Sequence, residues 1–174
     1  MLTKNNELRV LRIFFESPEK KFHIREIARL TKLSPPGVMK IAKNLAREGL
    51  LFSEKSRVVK NIFASKSEKF VQMKRLFNIY SLYGCGLVSF LRQQYEEPEA
   101  IVLFGSYAKG EDISKSDIDI AVITSKNMTL DLKKFEPPLK RKINIHEIKL
   151  KYAEKPFLNS LANGTVLYGY LKVL

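Results

Sequence analysis

Apolar residues recur at helical spacing from Asn6 to Glu16, where Leu8, Leu11 and Phe15 fall on one stripe. Ser17-Pro18-Glu19 stops that helix. A second short helix is predicted over Phe22–Thr31, with His23 as a local packing or capping residue, and Lys32-Leu33-Ser34 as a turn. Ser34 can cap a third helix that starts at Pro35-Pro36 and stops at Gly49. Its Val38, Ile41 and Leu45 share one face, which leaves Lys40, Lys43, Asn44 and Arg47 elsewhere, able to reach phosphates and base edges. Leu50–Ser53 and Val58–Ala64 then read as a hairpin.

Helical spacing returns over 68–94, with a packing face of Phe70, Met73, Phe77, Tyr80, Leu87, Phe90 and Leu91. Ser81–Gly86 is a plausible break, giving a linking helix over Phe70–Tyr80 and a second helix over Leu82–Gln94. Beyond it the pattern becomes a strand at Glu99–Phe104, a short helix from Ser106, and a strand at Asp117–Thr124. Short helical pieces at Leu130–Phe135 and Pro138–Arg141 follow. A strand at Lys142–Leu150, a helix at Tyr152–Asn163 and a last strand at Val166–Tyr168 complete the pattern.

The chemistry lies in the middle of this second half. Gly105-Ser106 makes a turn after an apolar strand, and Asp117-Ile118-Asp119 opens the next one. Strand alternation sends Asp117 and Asp119 to one face while Ile118 and Ile120 take the other. Mg²⁺ (or Mn²⁺) takes hard oxygen ligands, some from carboxylates and the rest from substrate phosphates and water. Gly105 allows backbone to approach phosphates closely, and Ser106 can add a hydroxyl at a helix start. Lys109 and Lys115 flank the site and could meet phosphates or simply face solvent.

Gly-Ser, a spacer of residues 107–116 and then Asp-x-Asp resemble the nucleotidyltransferase superfamily related to DNA polymerase beta, and within it the minimal nucleotidyltransferases. The resemblance runs from about Glu99 to Leu174 and includes an ending, Pro156–Leu161 and Gly164–Gly169, similar to the family's closing helix and strand. It implies ATP or another NTP as substrate, with Asp117 and Asp119 as metal ligands and Gly105, Ser106, Lys109 and Lys115 around the nucleotide. It also implies a third carboxylate on a later strand, but the matching residue is Asn144, which can carry no charge. His146 lies on the same face and could ligate a metal or act as a base; Glu147 should point the other way. Asn144 therefore favours nucleotide binding over turnover.

A second resemblance covers about residues 5–65. Three helices, the stretch REIARLTKLSPPGVMKIAKNLAREGLL and a basic hairpin resemble winged helix-turn-helix domains. This implies that the third helix enters the major groove while the wing from Lys55 through Arg57 to Lys60 touches the DNA backbone. Charge agrees. The net charge is +13, with +9 on residues 1–66 and +4 on residues 67–174, so the excess points to a nucleic-acid role for the N-terminal part. A winged helix used only for protein contacts or dimerisation stays open, and a homodimer on a palindrome is an expectation by analogy alone.

The expectation is an α+β chain: a winged helix over 1–66, a linking helix over 67–81 and a nucleotidyltransferase domain over 82–174 with a small mixed sheet. Two functions compete. One is Mg-dependent transfer of AMP from ATP to a protein hydroxyl; the resemblance adds an antitoxin role beside a helical HEPN toxin. The other is a nucleotide-sensing transcription regulator. Polymerisation onto RNA ends is a weaker third, since no further nucleic-acid domain follows. No apolar run of about 18 residues marks a membrane span. The start lacks a signal core and Cys85 is the only cysteine, so a cytoplasmic protein is expected.

Overall fold

The structure is a computed structural model that describes residues 5–55 and 60–172. The chain divides into two compact units, Met1–Lys74 and Arg75–Leu174. In the first, α1 (Asn6–Glu16) begins at Asn5, whose Oδ1 accepts from the Glu7 amide at 2.8 Å. Then come β1 (Lys21–His23), α2 (Ile24–Thr31), α3 (Pro35–Arg47), β2 (Leu51–Lys55) and β3 (Lys60–Ala64). Ser34 Oγ accepts from the Gly37 amide at 3.3 Å and caps α3. The strands form an antiparallel sheet in the order β1-β3-β2. Phe14, Phe15, Ile27, Val38, Leu45 and Ile62 close the core. Three helices followed by a hairpin, with a short strand before α2 on the hairpin's edge, is the winged helix-turn-helix arrangement.

The helix expected from Phe22 starts only at Ile24. Phe22 is in β1 instead, paired with Ile62 and packed edge-on against Phe14 at 5.4 Å. A buried aromatic with a backbone partner in β3 outweighs local helical spacing. His23 occupies the N-cap of α2 but makes no capping hydrogen bond.

One helix, α4 (Glu68–Gly84), runs across the division between the units, past the expected end at Tyr80. Gly86 turns the chain in a left-handed conformation (φ 81°), and α5 (Leu87–Gln94) follows.

The second unit contains β4 (Ala100–Phe104), α6 (Gly105–Lys109), β5 (Ile118–Ile123), α7 (Glu136–Leu139) and β6 (Ile143–Ile148). A 3-10 turn (Leu150–Tyr152), α8 (Lys155–Ala162) and β7 (Thr165–Gly169) end it. The sheet order is β6-β5-β4-β7; β4 is antiparallel to both neighbours, and β5 and β6 are parallel. One face, with Ile101, Leu103, Ile120 and Val122, is covered by Leu87, Val88 and Leu91 of α5 and by Phe135 and Leu139. The other face carries Ala100, Val102, Ala121 and Ile123 and is buried chiefly by Leu161 of α8.

Leu130–Phe135 is not helical as expected. Leu130, Leu132 and Phe135 lay their apolar side chains on the sheet from an irregular crossover, and α7 starts only at Glu136, where Pro137 suits a first turn. The helix expected from Tyr152 is a 3-10 turn and then α8, which begins after Ala153 and Glu154 adopt extended backbone.

A buried ion pair ties this unit together. Asp112, in the loop after α6, meets Arg141 Nη2 at 3.0 Å just before β6, with both side chains almost fully buried. Asn78 of α4 donates to Asp112 Oδ1 (2.8 Å) and to the Tyr107 carbonyl (2.9 Å). Hydrogen bonds of this kind are what make a buried charge pair tolerable, and they fix α6 against the start of β6.

Gly105 (φ 76°) and Gly86 (φ 81°) share a left-handed backbone but differ in surroundings. A Cβ on Gly86 would meet open space, whereas one on Gly105 would sit 2.9 Å from Asp119 Oδ2. Gly86→Ala is expected to cost only the backbone strain, about 1–2 kcal/mol. Gly105→Ala is expected to cost more and to displace the Asp119 carboxylate. Urea unfolding of both variants checks this: Gly105→Ala is expected to lose more stability than Gly86→Ala.

Candidate active site

The β4–β5 register sets Phe104 opposite Asp119, and the β5–β6 register sets Asn144 beside it. Gly105 follows Phe104 directly and turns the backbone toward the Asp119 carboxylate. Asp117 lies one residue before β5. The three polar side chains converge: Asn144 Nδ2 donates to Asp119 Oδ1 at 3.2 Å and to Asp117 Oδ2 at 3.4 Å. His146 stands on the same face, its Nε2 3.7 Å from Asp119 Oδ1. Its ring meets Phe104 edge-on at 5.2 Å and Phe157 of α8 at 6.1 Å. Nε2 is shut off from solvent, makes no hydrogen bond, and has the Asp119 carboxylate as its charged neighbour.

Glu147 faces the opposite side, as alternation requires. It accepts from Tyr95 Oη and the Met128 amide, both at 2.7 Å. Burial, and then this hydrogen bond to a carboxylate, push the Tyr95 phenol well above its usual range. Glu147 is thus committed to the scaffold and does not supply the third carboxylate.

Ser106 lies in the first turn of α6, half-buried, with Tyr107 and Ala108 locking the helix into the core. Lys109 is exposed at the far end of α6. Lys115 is also exposed, and lines a groove of about 680 Å³ together with Asp117, Lys140 and Lys142. Among the described residues no three His, Cys, Asp or Glu side chains gather as a complete metal-ligand set. Two carboxylates held within reach of one amide, beside a turn that a Cβ would block, do fit a hard cation that takes its other ligands from phosphates and water.

On α3 the exposed Lys40, Lys43 and Arg47 and the half-buried Asn44 fall at positions that share one side of the helix. Arg47 Nη2 donates to Asn44 Oδ1 at 2.8 Å, which restrains both. Arg57 of the expected wing lies outside the described residues, as do the side chains of Lys55 and Lys60.

Two features of the site carry no local sequence signal. Asp112 and Arg141 are 29 residues apart, and the rings that flank His146 come from two other elements, β4 and α8. An aspartate in the ten-residue spacer was the only available hint of the first.

Residues 87–170 match the family model described as Polymerase beta, Nucleotidyltransferase. No curated protein matches the chain. Among solved structures, the chain is similar to reduced HlyU from Vibrio cholerae, at 18% identity over 44% of this chain and 77% of that one, with a TM-score of 0.38. It is also similar to a mutant form of ZitR from Lactococcus lactis (20% identity, 50% of this chain and 60% of that one, TM-score 0.39). A third is the transcriptional regulator SlyA (19% identity, 55% and 75%, TM-score 0.33). At such scores the N-terminal assignment rests on the helix and strand topology itself. Residues 87–170 are a polymerase beta-type nucleotidyltransferase domain, carried behind a winged helix-turn-helix unit.

Proposed function

We propose that this chain transfers a nucleotidyl group, AMP from Mg-bound ATP, to a hydroxyl acceptor, and that its winged helix holds double-stranded DNA. The observation that carries the first half is the convergence of Asp117 and Asp119 on one amide beside the left-handed Gly105 turn. Mg²⁺ or Mn²⁺, bound with the nucleotide, would neutralise the phosphates and leave the α-phosphorus open to attack. Asp117 and Asp119 hold that charge in place, and the Gly105-Ser106 turn brings backbone and a hydroxyl toward the phosphates. Lys115 adds positive charge from the groove beside Asp117. Asn144 orients the two carboxylates but cannot accept a proton. His146 Nε2 is the nearest group that can take the proton of the acceptor hydroxyl.

The resemblance to minimal nucleotidyltransferases points the transfer at a protein hydroxyl, in an antitoxin role beside a helical HEPN toxin in the cytoplasm. Asn144 favours a second reading, a regulator that senses nucleotide through a weak or inactive transferase site, because the charge that should help activate the acceptor is absent. Among the described residues no helix is long and apolar enough to cross a membrane.

The test is purified protein with Mg²⁺, α-labelled ATP and cell extract as the source of acceptors. Label is expected on a macromolecule with the wild type and not with Asp117→Ala/Asp119→Ala, and Asn144→Asp is expected to raise the rate at least about tenfold, a gain of about 1.4 kcal/mol in the barrier. Magnesium-dependent binding without label, in both the wild type and Asn144→Asp, overturns transfer in favour of sensing.

For the winged helix, Lys43→Glu/Arg47→Glu is expected to weaken binding to duplex fragments, the chain's own promoter included. The affinity should fall at least about tenfold, and the slope of log K against log salt by about 1 per phosphate contact removed. Gel shifts at two salt concentrations read this. Unchanged shifts would assign the helix to protein contacts.

A further inference from the structure

Most of the seven tyrosines have their hydroxyls committed or covered. Tyr83 Oη donates to the Leu167 carbonyl at 2.6 Å, Tyr95 Oη to Glu147 and Tyr168 Oη to Glu97, while Tyr107 is buried. Tyr152 differs. It ends the 3-10 turn between β6 and α8, its amide donates to the Lys149 carbonyl at 2.9 Å, and its side chain stands 77% exposed. A turn fixed through its backbone therefore presents a phenol to water. That phenol lines a groove of about 660 Å³ together with His146 and Phe157, so it shares one open space with the imidazole that stands 3.7 Å from Asp119. Tyr80 and Tyr170, also exposed, line no part of this groove. Its charged lining is mixed, with Lys126 and Lys149 against Glu147 and Glu154, which suits a neutral hydroxyl better than a polyanion.

We propose that Tyr152 Oη is itself an acceptor for the candidate active site, so that the chain places a nucleotidyl group on its own phenol. The proposal rests on the transferase reading above and names the protein hydroxyl that the reading leaves open. In the step, the phenolic oxygen forms a bond to the α-phosphorus of the nucleotide. The α–β bridging P–O bond breaks, pyrophosphate leaves with the electron pair, and the phenol proton passes to His146 or to water. The product is a phosphodiester on Tyr152, whose negative charge is offset by Lys149 in the same groove. Ser125 lines that groove too and is exposed, but a phenol is a far stronger acid than an aliphatic alcohol and yields its proton more readily as the new bond forms. Carrying acceptor and site on one chain also replaces an encounter between two molecules with the movement of one side chain.

The test incubates the purified full-length chain with Mg²⁺ and α-labelled ATP, once alone and once with cell extract, and locates the label by peptide mass spectrometry. Alone, the wild type is expected to carry a nucleotidyl group at Tyr152, in a labelled fraction that dilution leaves unchanged, as for a step within one chain. Tyr152→Phe, which removes one exposed hydroxyl and should keep the wild-type unfolding midpoint, is expected to lower self-labelling at least about tenfold. Tyr170→Phe should leave it within about twofold. Self-label that persists in Tyr152→Phe, or that maps to Ser125, overturns the proposal and leaves the transferase reading standing. Label on extract acceptors from a chain that never labels itself does the same. A labelled fraction that falls on dilution makes the acceptor a second copy and overturns the step within one chain. No label on the chain or on any extract acceptor overturns the transferase reading, and the proposal with it.

Discussion

Two carboxylates held side by side repel each other, and the second unit is organised around tolerating that repulsion. The antiparallel pairing of β4 with β5 places Asp119 opposite Phe104, at the point where Gly105 swings the backbone out of the strand. The parallel pairing of β5 with β6 brings Asn144 level with Asp119, and its amide donates to both Asp117 and Asp119. A slip of one residue in either register would turn Asp119 toward the apolar face packed by α5. The Asp112–Arg141 pair and Asn78 hold the approach to β6 against the loop after α6, so the two sides of the site cannot drift apart without exposing a buried charge.

Asn144 changes the balance of this arrangement. A third carboxylate would add to the repulsion and need a second cation to offset it; an amide relieves the repulsion by donating to both aspartates. An amide also brings no negative charge to this position. His146, flanked by Phe104 and Phe157 with Nε2 turned inward, is the remaining basic group there. A chain with a winged helix has use for such a site whether it transfers a nucleotide or senses one. The two outcomes differ in how this one position handles charge.

Much of this was legible from local signals. Ser34, Pro35 and Gly49 delimit α3 by capping chemistry that needs no tertiary context. Gly105-Ser106 and Asp117-Ile118-Asp119 declare a turn and a carboxylate pair from spacing alone. What escaped was non-local. β1 is three residues long and exists because Phe22 pairs with Ile62 across the unit. Leu130–Phe135 has helical spacing, but its apolar side chains are held by the sheet rather than by one another. Arg141 reads as one more cation in a basic run until the fold sets it against Asp112. The groove that Tyr152 shares with His146 likewise draws on residues from Thr124 to Phe157, which no window of sequence brings together.

The most direct test of the central claim, that the paired aspartates form a metal-dependent nucleotide site, is isothermal titration calorimetry with a non-hydrolysable ATP analogue. The wild type is compared with Asp119→Asn, in Mg²⁺ and in EDTA. Binding in Mg²⁺ that falls at least about tenfold in EDTA and in the variant, a loss of about 1.4 kcal/mol or more, is the predicted result. Equal binding with and without the metal, or in the variant, would contradict the assignment of Asp117 and Asp119 as its ligands.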